Sequence, residues 1–107
     1  MYNLKMIGVD LTKISRFKNK SEKFAKRILS HEEFEKWEIN KDHSFLATRW
    51  AIKEAIYKAD NNFFEFSKIN VKKDNYYWFQ NFYISVSHEG DLIIAFVIKK
   101  EKNESQN

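Results

Sequence analysis

Residues 45–59, FLATRWAIKEAIYKA, decide how the rest of this chain is read. At about 100° per residue, Phe45, Ile52, Ile56 and Ala59 share one side of a helix, and Leu46, Trp50 and Tyr57 form a second apolar arc on roughly the other. Arg49 and Lys53 lie on one seam between the arcs. Glu54 and Lys58 lie on another, flanked by the small Ala47 and Ala51. A helix apolar on two sides is buried on two sides, which brings its charges close to the interior, where they must be paired or ligated. Ser44 or Asp42 is placed to cap its start. Asp60-Asn61-Asn62 should stop it, because Asn tolerates the left-handed conformation that often ends helices.

Downstream of this helix the periodicity changes. Residues 69–73, 76–79 and 82–87 read as strands, and His88-Glu89-Gly90-Asp91 as a hairpin turn into a last strand over 92–99. The run LIIAFVI in that strand is apolar on both faces, which predicts a central position. Upstream, residues 5–10 (KMIGVD) read as a short strand that ends at Asp10, and residues 11–19 as a short helix with Thr12 as cap. A longer helical stretch starts at Ser21, with Phe24, Ile28 and Leu29 as its stripe. Ser30 and Glu33 form a capping-box pattern that opens a further helix through about Ile39. A strand, then helices, then an antiparallel sheet make an α+β fold. One domain over residues 1–100 and a polar tail over 101–107 are expected.

At 107 residues the chain is one domain's worth, yet ten Phe, five Tyr and three Trp are a heavy aromatic load for a thin core. An aromatic-rich core together with surface buried in an oligomer accommodates them. With no Cys there is neither a disulfide framework nor a thiolate metal site. Nothing at the N-terminus reads as a signal peptide and no apolar run approaches a membrane span, so a cytoplasmic protein is expected. Proline is absent and Gly8 and Gly90 are the only glycines, a bias that A+T-rich genomes impose and that carries no functional weight. The net charge of +4 permits an acidic partner or a phosphate-bearing ligand without requiring nucleic acid.

Three places could carry chemistry. Glu54 and Lys58 have the favourable spacing of an intrahelical ion pair, the plain reading. Alternatively Glu54 holds a metal and Lys58 a phosphate, with the alanines leaving room for the ligand. Asp10 after Gly8-Val9 is either a turn residue or, opposite Glu54, the second carboxylate of a magnesium site. Ser87 and His88 in Ser85-Val86-Ser87-His88 are either solvated turn residues or hydrogen-bond donors to a phosphate.

IGVDLTKISRF near the N-terminus, then FAKRILSHEEF, FLATRWAIKEAIYKA and ISVSH, in that order and at that spacing, resemble the holo-acyl-carrier-protein synthases, the short bacterial branch of the phosphopantetheinyl transferases. The resemblance covers most of residues 5–98. It implies the 4'-phosphopantetheinyl transferase module, a long helix packed on a small, three-stranded antiparallel sheet. It implies a homotrimer that binds coenzyme A at subunit interfaces. Asp10 and Glu54 would bind Mg²⁺ with the coenzyme A pyrophosphate, and Lys58 would contact the phosphates. Arg49, Ser87 and His88 would help hold the nucleotide end. A carrier-protein serine would attack the β-phosphate, with Glu54 or a metal-bound water as proton acceptor, and 3',5'-ADP would leave. The family also places Arg16, at the same spacing after GVD, where an acyl carrier protein docks. Lys26-Arg27 lies in the stretch that faces that partner in the family, so the resemblance implies a docking set of Arg16, Lys20, Lys23, Lys26 and Arg27, for which a solvated basic face is the plain reading.

Two turns depart from the family pattern. Asp60-Asn61-Asn62 stands where many members carry glycine after the long helix, and residues 74–78 replace a Gly-Lys-Pro turn. Both turns lie near the nucleotide in the family, so the resemblance does not carry over how adenine is held. A metal-dependent nuclease, a small basic module that binds RNA or protein without catalysis, and an inactive relative are the rival readings. A binding module has no reason to need Asp10, Glu54 and a divalent metal together.

Overall fold

A computed structural model describes residues 6–101. Lys5, the expected first residue of the opening strand, and residues 102–107 of the polar tail lie outside the described residues. The elements in chain order are β1 (Ile7–Lys13), a 3-10 turn (Ile14–Phe17), α1 (Glu22–Ile28), α2 (His31–Asn40) and α3 (His43–Ala59). A second 3-10 turn (Phe66–Lys68), β2 (Lys72–Lys73), β3 (Tyr77–Phe79), β4 (Phe82–Glu89) and β5 (Leu92–Lys99) follow. All strand pairs are antiparallel, in the order β1-β5-β4-β3-β2, with α3 laid across the sheet. The α+β class is as expected; the sheet has five strands where the resemblance implies three, with β1 at one edge and the short β2 at the other.

The helix α3 forms where the two apolar arcs predict it. Asp42 caps it, its carboxylate accepting the Ser44 N–H at 2.9 Å. Its Ala47, Ala51, Ala55 and Ala59 are all buried, so the room they make belongs to the core and not to a ligand. The closest approach is at Gly8 of β1: a Cβ there would lie 1.8 Å from the Ala55 carbonyl oxygen, so any side chain would push strand and helix apart. The helix ends without a left-handed residue. Asp60 is extended, and its carboxylate is drawn away by Lys99 of β5 and by the Asn62 N–H. The capping box at Ser30 and Glu33 is present in both directions.

β1 corrects the reading of the N-terminal region. The strand does not end at Asp10 but runs on to Lys13, paired along its length with β5 from Ile7↔Ile98 to Lys13↔Leu92. Thr12 is therefore a strand residue rather than a helix cap, and only the turn Ile14–Phe17 remains of the expected helix. Residues 7–13 alternate, with Gly8, Asp10 and Thr12 toward α3 and Ile7, Val9 and Leu11 away from it, and a continuous ladder outweighs a single capping bond.

In the opposite sense, the strand expected over 69–73 shrinks to Lys72–Lys73. Val71 gives its N–H to the Glu33 carboxylate and its carbonyl to Arg49, so side chains take the groups a ladder would have used.

β5 has a neighbour on each side, but only Ile93, Ala95 and Val97 face the core. Leu92, Ile94, Phe96 and Ile98 are each about 40% exposed and continue into Ile7, Val9 and Leu11 of β1 and Tyr83 of β4. Apolarity on both faces of this strand reflects a core on one side and an open apolar sheet face on the other. Among the described residues no helix is long and apolar enough to cross a membrane.

Candidate active site

The close contact between Gly8 and Ala55 sets the site. It lays β1 against the C-terminal half of α3, so that Asp10, two residues along the strand, faces Glu54 and Lys58. Lys58 does not pair with Glu54 within the helix. Its Nζ donates instead to the Val9 carbonyl at 3.0 Å and to Asp10 Oδ1 at 3.3 Å. The other Asp10 oxygen, Oδ2, accepts from the Thr12 hydroxyl at 2.6 Å. Burial, and after it the nearby Asp10 carboxylate, push the Glu54 carboxyl above its ordinary range, while Lys58 and Arg16 pull it back. Desolvation is the larger cause, so Glu54 is a carboxylate whose charge its surroundings do not fully compensate.

The chemistry of these donors fits a magnesium ion. Two carboxylates are a common protein contribution to a Mg²⁺ site, with waters and substrate phosphate oxygens filling the remaining positions. Among the described residues no group of three or more His, Cys, Asp or Glu side chains converges, so the chain itself would offer these two oxygen donors.

Arg49 and His88 lie elsewhere. Both line a groove of about 450 Å³ with Lys36, Lys73, Tyr77 and Phe45, at the N-terminal half of α3. Arg49 and Lys58 are nine residues apart on the helix, about 13 Å along its axis. Arg49 is almost fully buried: Nε donates to Glu33 at 3.3 Å, Nη2 to the Val71 carbonyl at 3.4 Å, and the guanidinium faces the Phe45 and Tyr77 rings. Ser87 is not brought into this groove. It opposes Ile94 across the ladder, on the outer face of the sheet, whereas His88 opposes Ile93 on the α3 side.

The basic residues Arg16, Lys20, Lys23, Lys26 and Arg27 are all exposed. Lys20 and Arg27 both lie over the Phe24 ring, and Arg16 is near enough to Glu54 to favour its ionised form. Positive surface therefore leads up to the acidic pair.

Sequence reading missed the largest charge cluster, on the far seam of α3. Glu33 is buried and accepts from Lys53, Arg49, the Val71 N–H and the Ser30 N–H. Lys53, fully buried, also donates to the carbonyls of Ile28 and Phe66. Burial lowers its pKa to about 8 against the opposing pull of Glu33. Glu33 is legible in sequence only as half of a capping box. The available signal is Arg49 and Lys53 four apart on a helix buried on two sides, a pair that requires an acid.

A family model described as the 4'-phosphopantetheinyl transferase superfamily matches residues 6–105. The holo-[acyl-carrier-protein] synthase of Mycoplasmopsis pulmonis is 58% identical over 96 residues, covering 88% of this chain and 89% of the relative. That of Mycoplasmoides gallisepticum is 33% identical over 103 residues, covering 86% and 93%. Among solved structures, a holo-(acyl-carrier-protein) synthase from Bacillus anthracis in complex with CoA (3',5'-ADP) superimposes with a TM-score of 0.77 at 25% identity, covering 92% of this chain and 97% of that one. The Helicobacter pylori enzyme in complex with coenzyme A gives 0.70 at 26% identity, covering 89% and 100%. With the four sequence motifs, the fold and the placement of Asp10 beside Glu54 in agreement, this chain belongs to the holo-acyl-carrier-protein synthase family of the 4'-phosphopantetheinyl transferase superfamily.

Proposed function

We propose that this protein transfers the 4'-phosphopantetheine group of coenzyme A to a serine hydroxyl of an apo-acyl carrier protein, in support of fatty acid and lipid biosynthesis. The observation that carries the reading is the approach of two carboxylates from distant parts of the chain, Asp10 and Glu54, with the Lys58 ammonium on Asp10. The serine oxygen forms a bond to the β-phosphorus that carries the pantetheine arm, the pyrophosphate P–O bond breaks, and 3',5'-ADP leaves with the electron pair. Asp10 and Glu54 would hold magnesium, which would supply neutralising charge to the pyrophosphate oxygens.

Lys58, half exposed on its ion pair, is free to exchange Asp10 for a phosphate oxygen as negative charge arrives. The Glu54 carboxylate, or a water on the metal, would receive the serine proton. Lys36 and Lys73 lend the groove positive charge where the nucleotide's phosphate would rest, with Arg49 and His88 in its lining as hydrogen-bond donors. Ser87 would act from the outer face. The exposed basic set from Arg16 to Arg27 would receive the acidic carrier protein.

The apolar sheet face is read as a subunit interface, and the assembly as a homotrimer. Trimerisation would also explain why groove and carboxylates lie apart on one chain: coenzyme A would take the groove of one subunit and the carboxylates of the next. Residues 1–100 are read as one domain, residues 101–107 as its tail, and the protein as cytoplasmic. Mass spectrometry of an apo carrier protein incubated with this protein and coenzyme A tests the activity. A phosphopantetheine adduct is expected with Mg²⁺ and not with chelator; no adduct from folded, trimeric protein overturns the reading.

A further inference from the structure

We infer that Thr12 is a positioning residue for the acidic pair, its hydroxyl fixing the Asp10 carboxylate for a divalent cation; this rests on the metal reading above. The two oxygens of Asp10 are held in different ways. Oδ1 is held by Lys58, whose side chain is 50% exposed and whose Nζ is 3.3 Å away. An exposed ammonium on a flexible stem is an exchangeable partner. Oδ2 is held by Thr12 Oγ1 at 2.6 Å, and Thr12 is 2% exposed.

The hydroxyl cannot drift. Thr12 is mid-strand, paired with Ile93 of β5, and a β-branched side chain in a sheet has few rotamers open to it. The pleat of β1 puts residues 10 and 12 on the same face, so the donor stands beside the carboxylate by construction. A hydroxyl has one proton to donate, and here it goes to Oδ2. The carboxylate keeps lone pairs for a cation while losing its freedom to rotate about the Cβ–Cγ bond. When a phosphate draws Lys58 away, the Thr12 hydrogen bond stays and the oxygen set keeps its aim. Groups that orient a metal ligand in this way typically account for 10- to 100-fold in metal affinity.

Mn²⁺ binding to the purified protein, followed by electron paramagnetic resonance, tests this without using activity. Thr12→Val keeps the branched shape and removes the donor; Thr12→Ser keeps the donor. We expect Thr12→Val to weaken Mn²⁺ binding about tenfold at a circular dichroism spectrum like that of the wild type, and Thr12→Ser to recover most of the affinity. Wild-type affinity in a folded Thr12→Val protein overturns the role of Thr12 while leaving the metal reading intact. Equal weakening in both variants also overturns it, since packing rather than the hydroxyl would then be responsible. Failure of the wild type to bind Mn²⁺, with or without coenzyme A, removes the metal reading and this inference together.

Discussion

One helix carries two charge clusters that solve opposite problems. On one seam of α3, Arg49 and Lys53 are buried with Glu33 between them, and they also donate to the carbonyls of Ile28, Phe66 and Val71. On the other, Glu54 stands near Asp10 with Lys58 and Arg16 as the opposing charges, and Glu54 is left with a raised pKa. The first cluster is complete within the chain and ties α1, α2 and the 66–71 segment to α3. The second leaves Glu54 desolvated beside a like charge, as a carboxylate is when its partner arrives from outside. Identical residue types build both a cluster paired within the chain and one whose carboxylate is left under-compensated.

The strongest way to break this contrast is to remove Glu33. Glu33→Ala leaves two buried cations without an acid, and breaking a buried pair from one side typically costs about 3–5 kcal/mol. That is a large part of the stability of a small domain, so urea denaturation should show a variant near the edge of folding. A loss below about 1 kcal/mol would mean that Glu33 contributes no more than a surface ion pair.

The second cluster should respond the other way. Glu54→Gln and Asp10→Ala should each lower carrier-protein modification on the order of a hundredfold while the fold persists. The folded-state pKa of Glu54 stands above its ordinary value of 4.5, so the folded protein keeps that proton longer than the unfolded chain does. The stability this contributes is complete below pH 4.5 and is lost as pH rises through the raised value. Metal-free Glu54→Gln should therefore melt above the wild type at pH 7, and Mg²⁺ should stabilise only the wild type. A lower Tm for metal-free Glu54→Gln would show that the ionised carboxylate is satisfied within the chain after all.

Smaller effects are expected where the basic surface leads into the second cluster. Reversing charge at Arg16 and Arg27 should raise the KM for the carrier protein on the order of tenfold at low salt and leave that for coenzyme A nearly unchanged. Screening acts within about 10 Å at 0.1 M salt, so added salt should weaken the wild type in the same direction. Equal carrier-protein KM for both proteins at low salt would leave only a solvated basic face. The apolar sheet face is checked by light scattering: a trimer mass at micromolar concentration is expected, and a fully active monomer sinks that assembly.

The elements read correctly from sequence are those whose causes are local. The two apolar arcs, the Asp42 cap and the Ser30–Glu33 capping box lie within a few residues of what they shape, and α2 and α3 form where they indicate. Gly90, with φ of +58°, and Asp91 turn β4 into β5 as their types suggest. Asp10 and Glu54 stand in separate motifs, and the fold places Asp10 near enough to Glu54 to raise its carboxyl.

What sequence could not decide depends on partners far along the chain. β1 continues past Asp10 because β5, some eighty residues later, offers it a ladder, and that ladder turns Thr12 from a cap into a neighbour of Asp10. Lys58 leaves Glu54, four residues away on its own helix, for Asp10, 48 residues away, because Gly8 lets β1 touch α3. Whether the second face of β5 is core or surface is likewise undetermined by a run of apolar residues, since burial depends on what packs above it. Local sequence sets which conformations are cheap. Only tertiary packing, through contacts whose chain-closure entropy no local pattern records, sets which charges meet.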